Sequence, residues 1–266
     1  MPYEIARIEK LIYSFSGTAA MFIELDAQKI LSINENQLLP AASLIKLLIA
    51  DYIQSLMRDK LQNLVTIEAI DFGVDFEANS CTTNQLQHFG AGILDLIVKV
   101  GEKLTVQKLI VLMLTLSDNW AANALIRYFG LEKIDEFARQ HYSNTHIRRL
   151  FMVQSRQENE TTALDCFLMM QRLIKNNSMR YILSRQQSQY KLPGAFVELT
   201  SNSSLPLSIY NKTGEGDKVD HDAMVVNYGN HSLTVILLTE SVASDRFNRL
   251  ALFNQVSKEL FENLIT

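Results

Sequence analysis

Ser43 and Lys46 stand three residues apart in the stretch "LLPAASLIKLLIADYIQ" at residues 38–54, most of which reads as the apolar face of a helix. Side chains three apart share a helix face. A serine hydroxyl is a poor nucleophile until a nearby base takes its proton. A lysine can be that base only where burial or neighbouring cations disfavour its charged form. The pair alone also fits a plain helix start, with a serine cap and a solvated lysine in the first turn. The catalytic reading therefore requires a second cation and a proton shuttle, and two tripeptides supply them. "LTLSDNWAANALI" carries Ser117-Asp118-Asn119 between two apolar helices, and "IYNKTGEGDK" carries Lys212-Thr213-Gly214 at the end of a strand. Each also fits a structural role, as a helix-capping loop or a strand end with a turn glycine. All three in order, each at an element boundary, are much harder to obtain by chance than any one.

The surrounding pattern says what must position these residues. Residues 4–15 read as an amphipathic helix. "TAAMFIEL" (18–25) and "QKILSINE" (28–35) suggest a hairpin turning at "DAQ", followed by a helix from Ser43 to about Arg58. Residues 85–190 are mostly helical in pattern. "LTVQKLIVLMLTL" is too apolar for a surface helix; "NWAANALIRYFG" is stopped by Gly130; "LEKIDEFARQHY" is a third helix; "TTALDCFLMMQRLIKN" is a fourth, with Thr162 and Asp165 spaced as a capping box. Strands return at 207–214, 222–229 and 231–240, the last two joined tightly at Gly229-Asn230, before a final helix from about Asp245 to Leu264. The expected fold is α/β of the α+β kind. An antiparallel sheet of about five strands is flanked by the N- and C-terminal helices, with an all-helical subdomain inserted. In this single domain, about 1–60 and 200–266 form the α/β part and about 61–199 the helical part. A site is expected at the seam.

Composition bounds the function classes. The 266-residue chain has a net charge of −4 and no basic block, so it lacks the electrostatic footprint of nucleic-acid binding. Its longest apolar run, Leu109–Leu116, is far short of the ~20 residues that span a bilayer. The N-terminus "MPYEIARIEKLIYSFSG" carries charges throughout and reads as a helix rather than an export signal. That suggests a cytoplasmic chain, or a secreted or periplasmic one if the numbering begins after processing. Cys81 and Cys166 then read as reduced thiols. No Cys or His cluster has metal-ligand spacing, and no cofactor is called for. His221 and His231 merely flank a strand-like run.

With these motifs the sequence resembles the serine β-lactamase and penicillin-binding-protein superfamily, nearest the class A β-lactamase branch. "FGAGIL…VGEKLT", "DNWAANALIRYFG", "NETTALD" and "HDAMV" look like this branch too, so the likeness spans nearly the whole chain. The resemblance implies roles. Ser43 is the acylated nucleophile and Lys46 its base, directly or through water. Ser117 passes a proton to the leaving nitrogen. Asn119 orients the substrate amide and Lys46, while Lys212 and Thr213 hold a substrate carboxylate. Gly214 permits close approach of the strand to the ligand, and the backbone N–H groups of Ser43 and Glu215 form an oxyanion hole. Asp118 is structural. The implied partner is a small-molecule or peptide substrate: a β-lactam, or an acyl-peptide or ester.

One departure matters. Class A enzymes activate the deacylating water with a loop glutamate. Aligning on Thr145 and Arg149 puts Phe151 at that position, in a loop several residues shorter. Glu158 and Glu160 are the nearest carboxylates. Without the base, acylation proceeds while hydrolysis of the acyl-enzyme slows. The expectation is a serine hydrolase with an acyl-Ser43 intermediate acting on a β-lactam or related amide or ester. A D-alanyl-D-alanine peptidase or esterase, or a sensor acylated once, is the alternative. Glu215 stands where a small residue is usual, and its charge could repel a carboxylate near Lys212.

Overall fold

The computed structural model describes residues 2–73, 92–153, 155–200 and 207–264, so Cys81 and any pairing with Cys166 lie outside the described residues. The chain forms two compact units, Met1–Leu44 with Glu160–Thr266, and Ile45–Asn159.

The first unit is built on a five-stranded antiparallel sheet. Its strands are β1 (Thr18–Leu25), β2 (Gln28–Ile33), β7 (Leu207–Glu215), β8 (Val219–Tyr228) and β9 (His231–Glu240), in the order β2-β1-β9-β8-β7. β1, β8 and β9 are largely buried on both faces because both faces are covered. On one side α1 (Pro2–Ser14) and α10 (Arg246–Leu264) bury Ile8, Ile12, Phe253, Val256 and Leu260 against Met21, Ile23, Met224 and Val235. On the other, α7 (Ala163–Ile174) sets the ring of Phe167 4.4 Å from that of Phe22. The α7 start is the one read from sequence, with the Thr162 hydroxyl accepting from the Asp165 N–H at 3.1 Å.

The first hairpin is tighter than expected. Leu25 pairs with Gln28, so the turn is Asp26-Ala27 alone, both at positive φ (51° and 62°). Such a mirror-image turn matches the strand twist but suits glycine better than alanine. Asp26 offsets the strain by accepting from the Ser232 N–H at 2.9 Å and lying 2.6 Å from His231 Nδ1. Beside it Tyr228 pairs with His231 around Gly229-Asn230, and Gly229 supplies the positive φ of 55°. A further strand pair, β3 (Leu39–Pro40) with β6 (Glu160–Thr161), has no counterpart in the sequence reading.

The second unit holds α2 (Ile45–Leu56), α3 (Leu94–Ile97), α4 (Val106–Thr115), α5 (Asn119–Phe129) and α6 (Leu131–His141). A small antiparallel pair, β4 (Leu64–Thr66) with β5 (Lys103–Thr105), completes it. Tyr52 of α2 packs edge-on to Phe129 and Phe137 at 5.9 and 5.6 Å. The buried carboxylate of Asp51 takes the hydroxyl of Tyr142. Arg127 grips Asp71 through two bonds of 2.8 and 2.9 Å.

Several boundaries differ from the sequence reading, among them the edge of the α/β part: α2, expected within it, belongs to the second unit. The helix expected from Ser43 begins as a 3-10 turn, Ala42–Leu44, with α2 starting at Ile45. The helices α7, α8 (Asn177–Leu183) and α9 (Gly194–Thr200) belong to the sheet unit, not to the helical part. Their apolar faces pack against the sheet and α10, as the Phe22–Phe167 contact shows for α7. Among the described residues no helix is long and apolar enough to cross a membrane.

Candidate active site

In the second unit three of the predicted residues meet. Lys46 is fully buried in the first turn of α2, which removes the reading of a solvated lysine. Its Nζ donates to the Ser117 carbonyl and to Asn119 Oδ1, both at 2.6 Å, and lies 3.2 Å from Ser117 Oγ. The loop between α4 and α5 makes this possible. Ser117 adopts φ 55°, a left-handed conformation unusual for serine, which turns both its carbonyl and its hydroxyl towards Lys46.

Asp118 holds that loop in place. Its carboxylate accepts from the N–H groups of Ile93 and Leu94 at 2.7 and 2.9 Å and from Ala121 at 2.8 Å, capping α3 and α5 together. Burial pushes its carboxyl above the usual range, while those three N–H donors and Lys46 pull it back. The residue is a brace, as the sequence reading had it.

Phe151 is also buried, and its ring lies against Lys46, with the centroid 4.4 Å from Nζ. The side-chain amide of Asn123 fixes its backbone on both sides. Oδ1 accepts from the Phe151 N–H at 2.7 Å and Nδ2 donates to the Phe151 carbonyl at 3.1 Å. The two glutamates next in the chain have their own partners. Glu158 is engaged by Arg149 at 2.6 and 3.2 Å. Glu160 stands in β6 opposite Pro40.

The first unit holds the remaining residues. Ser43 is half-buried in its 3-10 turn, directly after Ala42 at φ 44°. Strain of this kind in a non-glycine residue is concentrated at functional sites. The turn packs on β7 and β8. Gly214 makes the approach close: a β-carbon there would lie 3.3 Å from the Ala41 carbonyl and 3.2 Å from the His221 ring. The absent side chain thus serves the packing of β7 on the segment that leads to Ser43.

His221 ties the same segment down. Its Nε2 lies 2.7 Å from the Pro40 carbonyl, and its Nδ1 accepts from the Thr239 N–H at 3.1 Å. Nδ1 also lies 2.8 Å from the Asp220 carbonyl, so both ring nitrogens face an acceptor. Burial pushes the imidazole down to about 4, so the ring is a neutral strut at pH 7.

Lys212 and Thr213 follow on β7, both buried, with Lys212 Nζ donating to the Thr213 carbonyl at 2.7 Å. Burial pushes the Lys212 ammonium down to about 7; Asp222 and Glu215 oppose the shift and Lys191 adds to it. Asp222, likewise buried, is raised to about 7. The charge of Glu215 is compensated: Tyr190 donates its hydroxyl at 2.5 Å, Arg246 pairs at 3.3 Å and Lys191 at 3.5 Å. The concern that Glu215 repels an anionic ligand is thereby weakened.

Two cations escaped the sequence reading. Lys191 and Arg249 are fully buried and share Asp220, at 3.0 and 2.9 Å. Nothing local in the sequence distinguishes either from a surface charge.

Comparison with known proteins agrees with this architecture. The model of the β-lactamase enzyme family matches residues 5–264. Among solved structures the chain is similar to the β-lactamase from Sphaerobacter thermophilus DSM 20745, at 21% identity and TM-score 0.75, over 97% of this chain and 95% of that one. It is similar to PBP-A at 19% identity and TM-score 0.77, over 99% of this chain and 96% of that one. A PBP-A mutant solved as an acyl-enzyme complex with penicillin G matches at TM-score 0.76 and 19% identity, over 99% and 97% of the two chains. No curated protein sequence matches.

Proposed function

The chain belongs to the β-lactamase enzyme family, and on that premise we propose that it is a serine hydrolase, acylated rapidly at Ser43 and deacylated slowly. The substrate is a β-lactam, or a related amide or ester, that bears a carboxylate. Ser43 Oγ attacks the carbonyl carbon as its proton passes to the neutral amine of Lys46, three residues on. The N–H groups of Ser43 and Glu215 stabilise the oxyanion. The carbon–nitrogen bond then breaks. Ser117 gives its hydroxyl proton to the departing nitrogen and regains one from Lys46, whose Nζ lies 3.2 Å away. Lys46 is neutral again, and the products of this half-reaction are an acyl-serine and an amine. Asn119 orients Lys46 and the substrate amide, and Lys212 with Thr213 holds the carboxylate.

The observation that carries this reading is the burial of Lys46 among Ser117 and Asn119. A buried lysine bonded by two residues of a second motif is more than a helix-start residue. Slow deacylation rests on Phe151, because a ring packed on Lys46 cannot take a proton from water. The same observation favours a second reading, a D-alanyl-D-alanine peptidase or esterase, or a sensor that stays acylated by β-lactams. The similarity to a PBP-A acyl-enzyme with penicillin G supports that reading equally.

A chromogenic cephalosporin separates these outcomes. A burst of ring-opened drug stoichiometric with protein is expected, then a far slower steady state. Fast linear turnover from the start would remove slow deacylation, and no burst would remove acylation.

A further inference from the structure

Lys191 lies outside all three motifs. Its buried ammonium donates to the carbonyl of Gly214 at 3.1 Å and reaches that of His221 at 3.4 Å. Gly214 and His221 face each other across β7 and β8. The Gly216 N–H donates to the Val219 carbonyl at 3.0 Å, and hydrogen-bonded pairs alternate along an antiparallel ladder. Gly214–His221 is therefore again a hydrogen-bonded pair, and the residue between them, Glu215, turns its N–H away from β8. Because β7 is an edge strand, that N–H points out of the sheet.

The Gly214 carbonyl and the Glu215 N–H belong to one planar trans peptide unit, so they point in opposite directions. A cation on the carbonyl fixes the plane of the unit. It also draws electron density towards the oxygen, which makes the N–H a stronger donor. Lys191 holds the residue a second time through the Glu215 carboxylate, 3.5 Å away. Its charge is balanced by Asp220 at 3.0 Å, which Arg249 holds in turn. Buried ion pairs of this kind seldom stabilise a fold better than apolar side chains of the same size, so the cation calls for a reason other than packing.

We propose that Lys191 is a positioning residue for oxyanion stabilisation, orienting and polarising the Gly214–Glu215 peptide so that its N–H is aimed at the developing oxyanion. The inference rests on the functional reading above, in which that N–H is one of the two oxyanion donors.

The test is infrared difference spectroscopy of the penicillin G acyl-enzyme, read at the ester carbonyl stretch, with the acylation rate measured alongside. Stronger oxyanion donors lower that stretch. In Lys191→Met the band should move to higher wavenumber and acylation should slow about tenfold. A loss of stability alone would not move the band. Lys191→Gln, a neutral side chain that keeps a donor, should give a smaller shift and serves if the methionine variant does not fold. An unchanged band in a folded variant overturns the role of Lys191 and leaves the functional reading standing. Absence of any acyl-enzyme in the wild type overturns that reading, and this inference with it.

Discussion

Phe151 and Lys46 are in direct contact, the aromatic ring centroid 4.4 Å from Nζ. The ring excludes water from one side of the lysine and offers no lone pair in exchange. Replacing it with a carboxylate supplies the missing base. Phe151→Glu should shorten the lifetime of the penicilloyl adduct at least tenfold, the lower range for general base catalysis being about 10²-fold. Adduct decay followed by mass spectrometry checks this. An unchanged lifetime would mean that the loop cannot place a water, whatever residue stands there.

The placement of Phe151 depends on Asn123, whose amide bonds its N–H and carbonyl and also the Asp71 carbonyl, at 3.0 Å. Asn123→Ala leaves a buried N–H without its acceptor and should cost about 1–3 kcal/mol. Urea denaturation reads this directly, and a loss well below that range would show that the clamp is dispensable.

Lys212 should make substrate binding pH-dependent. Its ammonium is pushed down to about 7, so the free protein carries this charge below pH 7 and loses it above. Affinity for an anionic β-lactam should fall as pH rises from 6 to 8, measured as acylation efficiency. An ester-blocked analogue without the carboxylate should lack this trend, and an equal trend in both would remove Lys212 from carboxylate binding.

His221 links folding to acid. Its pKa is about 4 in the fold against an ordinary 6.5, so between those values the unfolded chain binds the extra proton. The contribution of the neutral ring is present above pH 6.5 and lost as pH falls towards 4, on the order of 3 kcal/mol for a shift of this size. Asp222, raised to about 7, acts in the opposite sense over much of this window, so comparison with a variant isolates His221. His221→Gln keeps a donor for Pro40 and removes the titration. Its unfolding free energy should fall less steeply from pH 6.5 to 4 than that of the wild type, and parallel curves would contradict the assignment.

Much of this architecture is legible in the sequence, where local chemistry writes it. The cap at Thr162, the apolar run of α4 and the Gly229-Asn230 turn each follow from a few adjacent residues. The motif residues are legible for the same reason. Lys191 and Arg249 are not, because their burial depends on Asp220, delivered by a distant part of the sheet. The left-handed backbones of Ala42 and Ser117 carry no signal either, since neither is glycine or asparagine. Asn123 did carry one: a polar residue on the buried face of an apolar helix. Amphipathic period also cannot say which unit a helix packs on, so the sequence does not show that α7 to α9 belong with the sheet.

On the proposed reading Ser43 is acylated and stays so. Intact-mass spectrometry of the wild type and of Ser43→Ala, followed over hours with penicillin G, tests it most directly. One penicilloyl adduct per chain is expected in the wild type, persisting long after acylation is complete, and none in the variant. No adduct in the wild type, or an adduct that survives Ser43→Ala, would contradict it.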